Sequence, residues 1–311
     1  MLKRIAKNLV KSLPGVRDVL ADRDQLISQI AKYRMSMQFA PGHFYSPISS
    51  NEDVTAHFQH LEHLDPLKIP GIELDVDRQM QWYHRINGYY SSHPFAESPS
   101  PGVRYYFDNE TFPCSDALLL YGMIRELCPK RIVEVGSGFS SAVMLDTNQR
   151  FCSSEIEMTF IEPYPDRLND LLSDDDRRNV QIIDRPIQEV EDAPWANLQA
   201  GDILFIDSSH VSKCGSDVNR LFFEIIPSLS VGVLVHVHDV FPNFEYPESW
   251  HRQGRSWNED YLLRAFLQFN NTFEILVWGP LCIQANQSYF HDKMPLFTQN
   301  WGGSFWMRRL S

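Results

Sequence analysis

Residues 131–141 of this 311-residue chain read RIVEVGSGFSS. The first five residues are mostly apolar and β-branched, which predicts a short buried strand. Gly136 and Gly138 follow and predict a tight turn that opens a helix, because apolar residues continue at helical spacing from residue 142. A glycine turn lets the backbone approach a ligand closely and directs free N–H groups towards it. The stretch therefore predicts the ligand-binding edge of an α/β sheet.

Short apolar runs alternate with helical stretches from this motif to the end of the chain. They predict an α/β fold, namely a doubly wound, Rossmann-like sheet of seven mostly parallel strands with helices on both faces. The predicted strands are Arg131–Val135, Glu157–Glu162, Val180–Asp184, Asp202–Asp207, Gly232–His238, Phe273–Val277 and Ser304–Arg308.

The first 113 residues are more irregular and predict an N-terminal cap of helices and aromatic-rich loops, followed by a sheet domain over residues 114–311. Residues 1–13 have basic and apolar residues at helical spacing and predict an amphipathic helix. A second helix is expected after Gly15, with its apolar residues on one side. Asp116 is expected to cap the helix that opens the sheet domain.

Composition narrows the class of protein. The formal charge of −12 disfavours broad binding of nucleic acid, which needs a basic surface. Five scattered cysteines without a C-x-x-C pair favour a reducing compartment, and a cytoplasmic location is expected. No apolar run is long enough to span a bilayer. Residues 1–13 are expected to pack on the cap or on a second subunit, with peripheral contact to an anionic membrane as the alternative. Homo-oligomerisation stays open.

An acid ends the second predicted strand. Glu162 stands 24 residues beyond Gly138, where a carboxylate in a doubly wound sheet can accept both ribose hydroxyls of an adenine nucleoside. The competing interpretation is a solvated glutamate in a loop. The third strand ends shortly before Ile187, a position at which an adenine edge would lie.

Acids and histidines follow the next two strands. Asp207 and His210 come after the fourth strand, and His238 and Asp239 come after the fifth. Adjacent parallel strands bring these residues to one edge of the sheet, where they suit a divalent metal or general-base chemistry. His236 lies deeper on the same strand and is either part of that chemistry or a hydrogen-bonded core histidine. Asp207 has a structural alternative too, as the cap of the following helix.

Four motifs together resemble the class I S-adenosylmethionine-dependent methyltransferases: EVGSGFSS at residues 134–141, IEPY at 161–164, IDSSH at 206–210 and VHD at 237–239. Within that family the chain is similar to a bacterial group related to catechol and macrocin O-methyltransferases. The resemblance covers roughly residues 114–309, and GHFYSP at residues 42–47 resembles the N-terminal part of the same group.

The resemblance implies S-adenosylmethionine as the cofactor and a metal site like that of the catechol enzyme. There, Mg²⁺ is held by an aspartate after the fourth strand and an Asp-Asn pair after the fifth. Asp207 and Asp239 match the two acids, but Val240 replaces the asparagine, so His238 or His210 would complete a site for Mg²⁺ or a transition metal. The implied cofactor residues are Glu134, Gly136, Ser137, Gly138, Ser140, Ser141, Glu162, Ile187 and Asp207.

The predicted reaction is O-methylation of a small molecule or a sugar hydroxyl, with Asp207, His210 and His238 as the catalytic residues. A non-catalytic nucleoside-binding partner protein is the first alternative, although a buried polar cluster has little use in a dead site. An NAD-dependent oxidoreductase is the second, but Ser141 replaces its usual third glycine. The candidates for a lid or acceptor pocket are His43, Tyr45, Tyr105, Tyr106 and Trp257.

Overall fold

The computed structural model describes residues 14–36 and 38–311, so the helix predicted over residues 1–13 lies outside the described residues. The described chain forms two compact units, one up to residue 58 and one from residue 59 onwards. Helix α1 (Pro14–Ser36) confirms the predicted second helix, and α2 (Asn51–Leu61) follows it. No described helix is both long and apolar enough to cross a membrane.

The second unit contains the predicted seven-stranded, mostly parallel sheet, with strand order β3-β2-β1-β4-β5-β7-β6. Strands β1 to β5 pair in parallel, while β7 inserts antiparallel between β5 and β6. Every predicted strand is present, with ends within two residues of those expected. The observed strands are β1 (Arg131–Val135), β2 (Glu157–Ile161), β3 (Gln181–Ile183), β4 (Ile203–Ile206), β5 (Leu234–Val237), β6 (Phe273–Trp278) and β7 (Phe305–Arg309).

Helices cover both faces of the sheet because the buried strands are apolar on both sides. Ile132 points into one core with helices α3 (Val76–Tyr90), α4 (Cys114–Leu127) and α5 (Phe139–Phe151), and the next residue, Val133, points into a second core on the opposite face. The segment from residue 217 to 228 forms α9 and α10, which are joined by a π-helical turn, Leu221–Ile225. The other helices are α6 (Asp166–Leu171), α7 (Asp174–Asn179), α8 (Ala193–Ala196), α9 (Asp217–Arg220), α10 (Ile226–Ser228), α11 (Glu248–Arg252), α12 (Glu259–Leu267), α13 (Gly279–Ala285) and α14 (Gln287–Lys293), with 3₁₀ turns at Ile187–Glu189, Pro242–Phe244 and Pro295–Thr298.

Residues 59–113 belong to the same compact unit as the sheet. Helix α3 packs against α4 and β6, and its Tyr83 is fully buried against Phe290 and Phe297. Much of the aromatic content of this segment is therefore core. The domain boundary between residues 113 and 114 stays a prediction.

The expectation that Asp116 caps α4 is wrong. Helix α4 begins at Cys114, and the cap position is occupied by Pro113, which makes no side-chain cap bond. Asp116 lies inside the first turn, and its buried carboxylate accepts the backbone N–H of Gly303 (3.0 and 3.1 Å) and of Ser304 (3.0 Å). The carboxylate thus serves the chain that leads into β7, since those two donors are buried and need an acceptor.

Candidate functional site: a polar cleft at the carboxyl edge of the sheet

The turn after β1 is held tightly against the neighbouring strands. Gly136 has φ +82°, and a Cβ placed on it would lie 1.7 Å from the carbonyl oxygen of Asp207. The Gly136 N–H donates to Ile161 O (2.9 Å), and the Asp207 N–H donates to Val135 O (2.8 Å). Only glycine fits between the ends of β2 and β4, so the backbone itself forms this part of the site.

A buried acid supports the turn from behind. Glu134 accepts hydrogen bonds from the hydroxyls of Ser140 (2.5 Å) and Ser141, and Ser141 Oγ accepts the N–H of Gly138 (3.0 Å). Burial raises the pKa of Glu134 to about 8. Glu134 and Ser141 therefore shape the turn without lining the cleft in front of it. The predicted cofactor residues that do line this cleft are Gly136, Ser137, Gly138, Ser140, Glu162 and Asp207.

Glu162 lies at the end of β2, directly beside the turn. Its carboxylate accepts the N–H of Ser137 (3.1 Å) and the N–H of Tyr164 (2.8 Å). These bonds fix the carboxylate at the mouth of the cleft. Ile187, by contrast, is buried in the core on one face of the sheet and does not line the cleft.

The cleft has a volume of about 690 Å³ and runs along the carboxyl ends of β1, β4 and β5. That volume is in the range of small-molecule sites. The acid-rich chemistry predicted after β4 and β5 meets here, because Asp207, His210, His238 and Asp239 all line it. Asp116 lines it as well.

His210 is oriented by carboxylates on both of its ring nitrogens. Nδ1 lies 2.9 Å from Glu259 Oε2, while Nε2 lies 3.4 Å from Asp207 Oδ1 and 3.7 Å from Asp239 Oδ2. His210 and Asp239 have left-handed backbones, with φ of 58° and 57°. The carbonyl of His210 accepts the N–H groups of Asn258 and Glu259 (3.0 and 3.2 Å), which helps to hold this strained conformation.

His238 and His236 have different surroundings although they share a strand face. His238 Nε2 lies 3.6 Å from Asp239 Oδ1 and 4.0 Å from Asp116 Oδ2. His236 stacks on Phe205 with ring centroids 3.8 Å apart, and its Nε2 lies 3.2 Å from Ser304 Oγ. His236 is thus a hydrogen-bonded core histidine, which is one of the two interpretations that the sequence left open.

A family model described as "Methyltransferase domain" matches residues 133–240, which include the glycine turn, Glu162 and the ends of β4 and β5. A protein of Archaeoglobus fulgidus, described as uncharacterized, is 35% identical over 159 residues, or 49% of this chain and 70% of that one. Over residues 133–240 the chain belongs to this methyltransferase domain family.

Two solved methyltransferase structures have a lower sequence identity to this chain than the Archaeoglobus protein has. The S-adenosylhomocysteine-bound PaMTH1 of Podospora anserina is 13% identical and covers 86% of this chain and 99% of its own, with a TM-score of 0.41. The O-methyltransferase TomG of Streptomyces achromogenes, in complex with S-adenosylmethionine, is 13% identical and covers 83% and 96%, with a TM-score of 0.41.

Charges alternate through the polar cluster of the methyltransferase. Burial alone would lower the pKa of His210, but the carboxylates of Asp207 and Glu259 outweigh it and raise this pKa well above the usual value. Burial raises the pKa of Asp207, yet the neighbouring His238 and His210 lower it below its usual value overall. Burial raises the pKa of Asp116. The cluster thus favours an imidazolium between ionised carboxylates.

The residue types of the cluster suit a divalent ion, since carboxylate oxygens and imidazole nitrogens are common metal ligands. Within residues 14–36 and 38–311, however, no three His, Cys, Asp or Glu side chains are grouped so that they could hold an ion. Val240, at the position of the expected asparagine, is fully buried in the core. The Asp207, Asp239 and His238 side chains would have to move before they could share one ion.

Several residues of the site escaped the sequence-based prediction. Glu259, the buried partner of His210, begins α12 and has no motif around it. Trp250, Arg255 and Arg167 line the cleft itself. The only sequence signal for them was the aromatic richness that singled out Trp257, whose ring packs against His210 at a tilt of 32° with centroids 4.5 Å apart.

The other lid candidates lie elsewhere. Tyr105 is fully buried, and its hydroxyl donates to Phe112 O (2.8 Å). Tyr106 packs edge-on against Phe139, outside the cleft. His43 and Tyr45 belong to the first unit, where His43 stacks on Phe39 with ring centroids 4.6 Å apart. Their predicted role as a lid stays a prediction.

Proposed function

We propose that this methyltransferase transfers a methyl group from S-adenosylmethionine to a hydroxyl oxygen of a small molecule or sugar. The observation that supports the proposal most is the shared cleft. The glycine turn and Glu162 adjoin a cluster of Asp207, His210 and Asp239 within one volume of about 690 Å³. A nucleoside-binding turn and a proton-accepting cluster are the two parts that O-methylation requires.

The turn and Glu162 would bind the cofactor. S-adenosylmethionine, when bound, supplies an electrophilic methyl group on a sulfonium. Glu162 would accept the ribose hydroxyls, and the N–H groups at the start of α5 would face the ligand because Phe139 and Ser140 line the cleft. Glu134 and Ser141 would act through the turn that they support. Ile187 would contact the adenine through its backbone, because its side chain is buried in the core.

The acceptor would lie between the bound methyl group and the polar cluster. An oxygen–carbon bond forms, the sulfur–carbon bond breaks, and the acceptor hydroxyl loses its proton. Asp207, His210 and His238 would orient that hydroxyl, since all three line the cleft, and an ionised carboxylate of the cluster would take up the proton because the imidazolium is already protonated. Glu259 would keep His210 in place through Nδ1. Positioning of this kind accounts for a large share of the rate in displacement reactions.

Calorimetry tests the cofactor assignment. S-adenosylmethionine and S-adenosylhomocysteine should bind with a Kd on the order of micromolar, while NAD should not bind. Glu162→Ala should weaken binding by roughly tenfold or more, because the ribose hydroxyls lose a charged acceptor. Glu157→Ala is the matched control, since Glu157 begins the same strand with an exposed side chain paired to Arg131. Tight binding of NAD would overturn the proposal, and unchanged affinity in Glu162→Ala would remove Glu162 from the ribose.

Turnover separates the enzyme from a non-catalytic binding protein. Formation of S-adenosylhomocysteine in the presence of a panel of phenols and sugars should depend on the acceptor. Asp207→Asn should abolish this formation while cofactor binding persists. Binding of S-adenosylmethionine without transfer to any acceptor would favour the non-catalytic alternative.

A divalent ion is the second part of the proposal. Asp207, Asp239 and His238 would hold it, and it would lower the pKa of the acceptor hydroxyl. Chelation should then abolish turnover, and Mg²⁺ or a transition metal should restore it. Asp239→Asn should weaken metal affinity as measured by calorimetry on the protein alone. Full activity in excess chelator, together with a large loss in His210→Ala, would discard the ion and leave a histidine–carboxylate mechanism.

The basic segment at residues 1–13 is proposed to have no part in the chemistry of a cytoplasmic enzyme. A truncation that lacks these residues should keep its affinity for S-adenosylmethionine. Loss of the native oligomeric state in that truncation would assign the segment to subunit packing. Salt-sensitive co-sedimentation of the full chain with anionic liposomes would assign it to a membrane surface instead.

A further inference from the structure

Arg255 lies in the wall of the cleft, beyond the reacting cluster. Its guanidinium carbon is 4.6 Å from the ring centroid of Trp250 and 5.4 Å from that of Trp257. The Trp257 ring in turn packs against His210, the residue that faces Asp207 and Asp239, with ring centroids 4.5 Å apart. Successive contacts therefore connect the proposed reaction centre to this cation within one cleft.

The guanidinium of Arg255 has no polar partner in the part of the chain that the structure describes. Its backbone N–H donates to Trp250 O (3.0 Å), but no hydrogen bond or ion pair engages its side chain. Several other arginines of this acidic protein are paired, such as Arg104 with Asp146 and Asp176. Arg167, which also lines the cleft, lies beside Gly138 at the glycine turn, away from the tryptophans. The cation–π contacts with Trp250 and Trp257 use none of the N–H donors of Arg255 for a hydrogen bond, so these donors stay available to a ligand.

We infer that Arg255 binds an anionic group, a carboxylate or a phosphate, on the methyl acceptor. The inference deepens the proposed function and rests on it. A guanidinium held against two tryptophan rings by cation–π contacts keeps its position without a salt bridge, and its forked N–H donors match the two oxygens of a carboxylate or phosphate. The acceptor is therefore an acidic ring compound or an acidic sugar, not a neutral phenol.

The charges along the cleft also fix the direction in which such an acceptor binds. Asp207 and Asp239 repel an anionic group at the reacting end, whereas Arg255 attracts it at the tryptophan end. The acceptor hydroxyl is then left at the carboxylate–imidazole cluster, where the proton is removed. Trp250 and Trp257 provide apolar surface for the ring that joins the hydroxyl to the anion.

The test is calorimetry on the full chain saturated with S-adenosylhomocysteine. Two acid–neutral pairs are titrated: 3,4-dihydroxybenzoate with catechol, and glucuronate with methyl glucoside. Glucose 6-phosphate provides the phosphate arm. An acidic probe should bind at least about tenfold more tightly than its neutral counterpart, which is the effect of one charge-assisted contact. Arg255→Ala should remove this preference, and Arg255→Lys should keep part of it.

Arg85→Ala is the matched control, because Arg85 also lies on a tryptophan (4.3 Å from the Trp82 ring) but outside the cleft. It should leave the preference intact. Equal binding of acid and neutral probes, failure of every acid to bind at millimolar concentration, or a preference that survives in Arg255→Ala would overturn the inference. Failure of the proposed function is distinguishable, since it appears as a lack of S-adenosylhomocysteine binding in the first titration.

Discussion

The two sides of the cleft are built by different means. The cofactor side is mostly backbone from one contiguous stretch, residues 131–141, joined by Glu162 at the end of the next strand. The acceptor side is mostly side chains that come from distant segments and meet through charge. The geometry of the acceptor side depends on attraction between charged side chains. The geometry of the cofactor side depends on steric fit, because only glycine can occupy position 136. The acceptor side draws on Asp116, residues 207–210, residues 238–239, residues 250–257, Glu259 and Gly303.

The largest effect is expected on the cofactor side, from a single methyl group. Gly136→Ala would place Cβ 1.7 Å from Asp207 O in a left-handed backbone, so β1 and β4 would have to separate. We expect a loss of more than about 4 kcal/mol of unfolding free energy, or no folded protein. Gly201→Ala is the control, since φ is +90° there but no atom lies within 4 Å of the added Cβ. It should cost only about 1 kcal/mol in a urea titration.

A comparable outcome for the two glycine variants would contradict the steric account. It would mean that the turn gives way and that the backbone does not set the cofactor side. The unfolding midpoints of both variants, with and without S-adenosylmethionine, would make the difference visible.

The second effect is expected on the acceptor side, from the loss of one charge. Glu259→Gln keeps the shape of the side chain but removes the carboxylate that holds His210 Nδ1 at 2.9 Å. We expect turnover to fall by about 10- to 100-fold, as is usual for a residue that orients a reacting group. The affinity for S-adenosylmethionine should stay within about twofold, because Glu259 does not contact the turn.

Glu274→Gln is a control for the loss of a partly buried carboxylate that pairs with arginine far from the cleft. It should lower stability without changing turnover. A loss of cofactor affinity in Glu259→Gln would contradict the view that the cofactor side and the acceptor side are energetically independent.

The same contrast explains what the sequence could predict. The limits of β1 were predicted to the residue, because an apolar run that ends in a glycine turn is a local signal. Asp207 and Asp239 were placed together because adjacent parallel strands end at one edge. Glu259 and Arg255 were missed, since only the folded chain after β5 brings Arg255 to the cleft and Glu259 to His210. Asp116 was misinterpreted as a cap because its partner, Gly303, is 187 residues away.

A third prediction concerns the ionisation of Glu134, the buried acid on the cofactor side. Burial raises the pKa of Glu134 to about 8 in the folded protein, against about 4.3 in an unfolded chain. The contribution of Glu134 to stability is therefore fully present below about pH 4.3 and is lost as the pH rises towards 8. Between pH 5 and pH 7 the wild type should lose roughly 2 kcal/mol more unfolding free energy than Glu134→Gln.

Urea titrations at the two pH values measure this difference, with Glu157→Gln as a control on the exposed start of β2. Parallel pH profiles for the wild type and Glu134→Gln would show that Glu134 is ionised throughout. The hydrogen bonds that Glu134 accepts from the two serine hydroxyls would then be enough to stabilise its charge.

The smallest effect is expected from His236, a neutral histidine that lies between the charged cluster of the acceptor side and the apolar core. His236→Phe retains the stacking on Phe205 and loses the contact with Ser304, so stability should change by about 1 kcal/mol and turnover by less than about twofold. Burial lowers the pKa of His236 well below its usual value. The stability that depends on the neutral ring is thus fully present above about pH 6.5 and is lost as the pH falls. The phenylalanine variant should therefore gain stability relative to the wild type between pH 7 and pH 5, as urea titrations would show. A tenfold loss of turnover instead would place His236 in the reacting cluster and extend the acceptor side into the core of the sheet.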